Sequence, residues 1–288
     1  PAPAPAPAAA AAAGLEELPK EFQGEVILPF DLERYPFVQA LCAALDEPAG
    51  TDFSKLHDSQ IGMDILACFK RRCEEADIDA LGPRGNPWNA RYLGTAQKAP
   101  EANTRYMEVY HDFLRTFVLD NLGTGRVAFQ ARPTFRCHLP GCGAPGRPHR
   151  DEDYKHARVE VNYWIPCTTV FGSNSLYAET VRGAGDFRAF ELDPGRLVRF
   201  YGNQVWHYTT PNETDCTRVS VDFRVIREQE WSPSAFAEFK LGAYFAVISR
   251  EGVVPHGSQE LRCLQDKYNG LPPSKKMKTS KKKAWEAD

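Results

Sequence analysis

The sequence predicts an α+β fold in which helices flank a compact all-β core, a sandwich or a barrel. Three observations point to it. Between residues 127 and 226, short β-rich runs are separated by Pro and Gly clusters at close intervals. Residues before this stretch show helical periodicity, and residues 234–249 again have a helical composition. Two of the strands carry apolar residues on one face and polar or charged residues on the other.

Composition sets the frame. The chain has 288 residues, of which 42% are apolar and 25% charged, as in a globular protein rather than a disordered or collagenous one. Its formal net charge of −3, from 35 basic and 38 acidic residues, argues against a basic nucleic-acid surface over the whole chain. No apolar stretch approaches the roughly 18 residues of a membrane span. Nothing at the start reads as a secretory signal, so an intracellular protein, cytoplasmic or nuclear, is expected. The eight cysteines form no C-x-x-C pair, and most sit in apolar contexts, which suits reduced, buried thiols.

Residues 1–19 are a low-complexity Pro/Ala terminus expected to be disordered. Residues 20–126 read as a mainly helical part packed on the core, with helices at 37–45, 61–73 and 104–122. In the last of these, Tyr106, Val109, Tyr110, Phe113, Leu114, Phe117 and Val118 recur at intervals of three and four, and Gly123 supplies the stop. Residues 127–228 form the β core, with strands expected at 133–139, 158–165, 175–179, 195–201 and 218–226. Pro140-Gly141, Gly172-Ser173 and Asp193-Pro194-Gly195 mark turns between them. Residues 229–265 read as a C-terminal helical segment, and 266–288 as a Lys-rich tail, either a nuclear address or a solvated basic end.

Alternation places Arg158, Glu160, Asn162 and Trp164 on one face of a strand and Val159, Val161, Tyr163 and Ile165 on the other. Arg218, Ser220, Asp222 and Arg224 likewise oppose Val219, Val221, Phe223 and Val225. The polar faces fit solvent or the inside of a polar cavity. His149-Arg150-Asp151 favours the cavity. An imidazole and a carboxylate two positions apart on an extended segment project the same way, so one metal ion can take both. His207 offers a third ligand from a distant strand. Two His and one carboxylate on one side of an octahedral Fe(II) leave three positions open for a bidentate 2-oxo acid and O2. The far carboxylate of that co-substrate then needs a cation with a planar donor fork. Arg218, eleven residues beyond His207, supplies it, with the Ser220 hydroxyl on the same face.

These parts resemble the Fe(II)/2-oxoglutarate-dependent dioxygenases, specifically their StrG-like, phytanoyl-hydroxylase-like group. The residues that carry the resemblance are Pro133-Thr134-Phe135-Arg136-Cys137-His138-Leu139-Pro140, then His149-Arg150-Asp151-Glu152-Asp153-Tyr154-Lys155-His156. Val161-Asn162-Tyr163-Trp164-Ile165-Pro166-Cys167-Thr168, Asn174-Ser175-Leu176-Tyr177-Ala178-Glu179 and the stretch from His207 to Ser220 continue it. The resemblance implies a double-stranded β-helix, or jelly-roll, barrel. It implies that His149, Asp151 and His207 bind Fe(II), and that Arg218 with Ser220 anchors 2-oxoglutarate. Arg136 and Asn162 are further candidates for co-substrate contact, and Tyr154, Trp164 and Glu179 for a small-molecule substrate. The carboxylate of Asp151 favours hydroxylation or another C–H oxidation over halogenation, which needs that metal position open. Rival readings are a zinc hydrolase on the same ligands, a nucleic-acid-modifying oxygenase suggested by the lysine tail, and a non-catalytic jelly-roll binding protein. Neither the primary substrate nor the oligomeric state is legible.

Overall fold

A strand that buries both faces must be covered on both sides, and Arg218–Arg227 is such a strand. In the computed structural model, which describes residues 17–64, 66, 92, 100–144 and 147–270, it lies at the centre of the larger of two antiparallel sheets. The Pro/Ala terminus through residue 16, most of the helix expected at 61–73 and the lysine run lie outside the described residues.

The elements in chain order are β1 (Val26–Pro29), α1 (Phe37–Ala44) and α2 (Pro100–Phe113), which passes through a π-helical turn at Leu114–Val118 into α3 (Leu119–Leu122). Then follow β2 (Arg126–Gln130), β3 (Thr134–His138), β4 (Val161–Pro166), β5 (Tyr177–Ala178), β6 (Arg188–Ala189), β7 (Arg196–Phe200), β8 (His207–Tyr208) and β9 (Arg218–Arg227). β10 (Phe245–Ser249), β11 (Gly252–Val253) and α4 (Gln259–Tyr268) complete the described chain. The larger sheet runs β1-β7-β4-β9-β2-β10-β11 and the smaller β6-β5-β8. β9 is long enough to hold two partners on one edge: β3 on its first half, with His138 opposite Arg218, and β2 on its second, with Phe129 opposite Val225. No helix among the described residues is long and apolar enough to cross a membrane.

The apolar faces of β4 and β9 pack against the helices. Tyr163 stacks on Phe223, and Tyr110 and Phe113 of α2 meet Phe223 from the helical side. The aromatic stripe of α2 is therefore core, as its spacing predicts. Gly123 ends the helical run in the left-handed conformation, at φ 59°, which a residue with a side chain adopts only at a cost. The opposite face of the large sheet meets the small sheet through Trp164, Val198 and Phe200, packed with Val170, Ala178, Phe190 and Val205. The polar residues on the same face of β4 and β9 thus lie between the sheets rather than in water.

Three expectations change. The segment 234–249, read as helical, ends in β10, which pairs with β2 residue for residue. Gly242, at φ +79°, interrupts any helix there, and unpaired ladder groups on β2 decide the outcome. The strand expected from Arg158 begins only at Val161; Glu160 instead accepts hydrogen bonds from the Ala157 amide and the His156 ring in a preceding turn. Residues 259–268 form α4, started by the Ser258 hydroxyl, where the lysine tail was expected to begin at 266. Cys42, Cys167, Cys216 and Cys263 are free thiols.

Phe113 is fully buried among Phe30, Tyr35, Phe37 and Phe117. Phe113→Ala is expected to cost about 3–5 kcal/mol of unfolding free energy, read from urea midpoints. His138 is buried at the end of β3, its Nε2–H donating to the Cys142 carbonyl at 3.1 Å. Burial, and then the charge of Arg218, push its pKa down to about 3. The unfolded chain takes up that proton near pH 6.5. Stability is therefore expected to fall as pH drops from about 6.5 towards 3, and His138→Gln to flatten part of that fall in denaturation series at stepped pH.

Candidate metal centre

His149 and His207 come together because the loop after β3 adds one residue to the edge of the small sheet. The two residues exchange backbone hydrogen bonds, His149 N to His207 O at 3.1 Å and His207 N to His149 O at 3.0 Å. Each imidazole is then oriented by its own neighbourhood. Nδ1 of His149 lies 2.7 Å from the Arg147 carbonyl and Nδ1 of His207 lies 3.1 Å from the Val205 carbonyl. A carbonyl only accepts, so both Nδ1 atoms carry the proton and both Nε2 lone pairs are left free. Those Nε2 atoms face the same oxygen, Oδ1 of Asp151, at 3.9 and 3.7 Å. Three ligand atoms within 4.8 Å of one another make a group that could hold a metal ion. Burial pushes the His207 pKa down to about 4, which keeps its imidazole neutral and available as a ligand at pH 7.

Asp151 opens a short 3-10 helix, Asp151–Tyr154, and its amide donates to the Gly202 carbonyl at 2.9 Å. Gly202 has no room for a side chain: a Cβ there would sit 2.7 Å from Nδ2 of Asn162. The carboxylate itself is clamped. Arg224 donates to both oxygens, Nε to Oδ2 and Nη2 to Oδ1, each at 2.9 Å, and Asn162 Nδ2 donates to Oδ2 at 2.7 Å. Burial raises the acid's pKa, but the Arg224 guanidinium outweighs it and holds the group ionised, well below the usual carboxylate range. Oδ2 thereby accepts two of these hydrogen bonds, and Oδ1 accepts one while facing the imidazoles. Both histidines have the outer hydrogen bonds that metal-ligating rings carry, and the carboxylate is fixed, so the residues fit a metal ion.

Arg218 lies in the same cavity, fully buried. Nη1 donates to the Asn174 carbonyl at 3.1 Å, while Nε and Nη2 have no partner among the described residues, nor has the nearby Ser220 hydroxyl. Burial, and then the charge of Arg136, push the Arg218 pKa down to about 9, so it remains a cation at pH 7. An unpaired buried cation is costly, and the arrangement calls for an anion.

The remaining expected residues divide. Trp164 lines the cavity and packs on Phe190. Asn162 also lines it; its Nδ2 donates to Asp151, while its Oδ1 has no partner among the described residues. Arg136 lines it with Nε donating to Asp222 at 2.7 Å. Glu179, expected near substrate, is instead buried among backbone amides, accepting from Gly183, Gly185 and Trp206, and lies off the cavity wall. Tyr154, also expected near substrate, is 54% exposed and rests edge-on against His149 outside the cavity. Sequence reasoning left Arg224 and Thr209 without a role. Arg224 shares the parity of Arg218 on β9, and Thr209 that of His207 two positions earlier, so strand alternation held the signal for both. The Thr209 hydroxyl lines the cavity without a hydrogen-bond partner among the described residues.

Removing one member of a buried pair strands the other. Arg224→Met is expected to lower stability by about 3–5 kcal/mol in urea denaturation of the apoprotein, and adding Asp151→Asn to recover part of that loss.

No family model matches the chain. A curated relative, the streptomycin biosynthesis protein StrG of Streptomyces griseus, is 34% identical over 164 residues, which cover 54% of this chain and 79% of StrG. Among solved structures, EctD from S. alaskensis with 2-oxoglutarate and 5-hydroxyectoine aligns over 72% of this chain and 73% of its own, at 15% identity and a TM-score of 0.44. The non-heme α-ketoglutarate-dependent carbocyclase SnoK from nogalamycin biosynthesis aligns over 72% and 81%, at 15% identity and a TM-score of 0.39. These structural likenesses are distant, and kinship rests on the sequence relative. By that measure the chain belongs to the StrG-like family.

Proposed function

We propose that the protein is an Fe(II)- and 2-oxoglutarate-dependent dioxygenase on a double-stranded β-helix scaffold, oxidising a C–H bond of a small molecule. One observation carries this reading: a buried arginine with free donors shares a cavity with a His–Asp–His group that is already oriented for a metal ion. A dicarboxylate satisfies both at once. Its 2-oxo acid end suits the metal side, and its far carboxylate suits Nε and Nη2 of Arg218 with the hydroxyls of Ser220 and Thr209. A hydrolytic metal site needs only a water near the ion and leaves Arg218 unexplained.

His149, Asp151 and His207 would hold Fe(II), which when bound would supply O2 activation coupled to decarboxylation of 2-oxoglutarate to succinate. The protein's share is positioning. The backbone carbonyls of Arg147 and Val205 hold the imidazoles in the tautomer that presents Nε2. Arg224 and Asn162 hold Asp151 to one metal-facing oxygen, which keeps the other coordination positions for co-substrate and O2. Trp164, Phe200 and Leu176 give the cavity an apolar wall that excludes water from the reacting centre.

The test is 2-oxoglutarate titration into Mn(II)-loaded protein by calorimetry. A charge-assisted contact is worth about 1.5–3 kcal/mol, so Arg218→Met is expected to weaken 2-oxoglutarate binding by about 10- to 150-fold while leaving Mn(II) affinity in place. Unchanged 2-oxoglutarate affinity in that variant would contradict the assignment.

A further inference from the structure

Charge in the cavity is out of balance once the occupants proposed above are counted. Arg136, Arg147, Arg218 and Arg224 line it, against Asp222 on the wall and Asp151 at its base. On the reading proposed above, Fe(II) is neutralised by Asp151 and the near carboxylate of 2-oxoglutarate, and Arg218 by the far one. Asp222 is then shared between Arg136, at 2.7 Å, and Arg224, at 3.9 Å. With the buried Glu160, 3.8 Å from Arg224, counted as well, the loaded cavity keeps one more positive charge than negative ones.

Arg136 and Arg147 are the arginines with donors to spare towards the open side. Arg136 spends only Nε on Asp222, a contact that fixes the guanidinium plane while its two terminal amino groups donate to no described residue. Its side chain is 35% exposed, whereas Arg218 is fully buried. Arg147 is exposed and sits two residues before His149, so its backbone carbonyl orients the metal-facing ring while its side chain lines the cavity. A planar fork held by one edge and a second guanidinium beside the same opening suit an oxyanion. The wall beside them is apolar, with Tyr208 braced by Tyr177 at 5.4 Å and Phe187 at 5.3 Å.

We propose that the primary substrate carries an oxyanion, a phosphate or a carboxylate, bound by Arg136 and Arg147 while its uncharged part lies against the Tyr208 wall. This rests on the iron and 2-oxoglutarate reading, since it assigns Arg218 to the co-substrate and Arg136 to the substrate.

The experiment titrates phenyl phosphate, benzoate and benzamide into protein already saturated with Mn(II) and 2-oxoglutarate, by calorimetry. In wild type, at least one of the two anions is expected to bind ten or more times tighter than neutral benzamide; which one leads separates phosphate from carboxylate. In the Arg136→Gln/Arg147→Gln double variant that preference is expected to shrink to threefold or less, with 2-oxoglutarate affinity unchanged. Equal binding of all three probes, no binding by either anion, or a preference that survives in the double variant would overturn the proposal. A loss of 2-oxoglutarate affinity in Arg136→Gln would also overturn it, by assigning that arginine to the co-substrate. If wild type fails to bind 2-oxoglutarate with Mn(II) present, the underlying reading falls as well, a result distinct from the others.

Discussion

The buried contact between Arg224 and Asp151 is the constraint on which the rest of the site depends. It joins the middle of β9 to the loop that carries the metal-facing residues, and Asn162 from the neighbouring strand β4 closes it. Neither ion is tolerable there alone, because each is almost fully removed from water. The pair therefore fixes where the loop must dock. The backbone exchange between His149 and His207 fixes the same loop to the small sheet. One short segment is thus tied to both sheets, and the space between its two attachments is the cavity.

That cavity exists because β9 carries two programmes at once. Its odd positions, Val219, Val221, Phe223 and Val225, bury against the aromatic helices, and its even positions bring Arg218, Ser220, Asp222 and Arg224 to the centre. The helical layer gives rigidity: Phe113 packs against both Phe37 of α1 and Phe223 of β9, and Tyr163 of β4 reaches α3 through a 2.7 Å hydrogen bond to Asn121. Rigid apolar packing on one face lets the other hold polar groups whose hydrogen bonds are incomplete. The unpartnered donors of Arg218 and the hydroxyls of Ser220 and Thr209 are stored there, shaped for a guest rather than for one another.

Much of this was legible before the structure. Period-two alternation on β4 and β9 exposed the polar face, and the spacing of His149, Asp151 and His207 marked the ligand group that the fold brings together. The helical stripe from Tyr106 to Val118 identified its own buried face. What stayed hidden depends on tertiary pairing. The segment 234–249 is rich in Ala and Phe and compatible with a helix, yet its last five residues become β10 because β2 offers an edge. Glu179 looked like a pocket carboxylate, yet backbone amides from a loop and from Trp206, just before β8, consume it. Arg224 lay on the recognised polar face, but only the folded loop shows that its partner is Asp151. Strand parity identifies which residues face inwards; it does not say which of them meet each other.

The central claim is that His149, Asp151 and His207 form an iron site able to take a 2-oxo acid. Its most direct test is the visible spectrum of anaerobic protein given Fe(II) and then 2-oxoglutarate. A weak metal-to-ligand charge-transfer band that appears only with both, and is absent in His207→Ala, is the predicted result. Bound iron with no such band in the wild-type protein would contradict it.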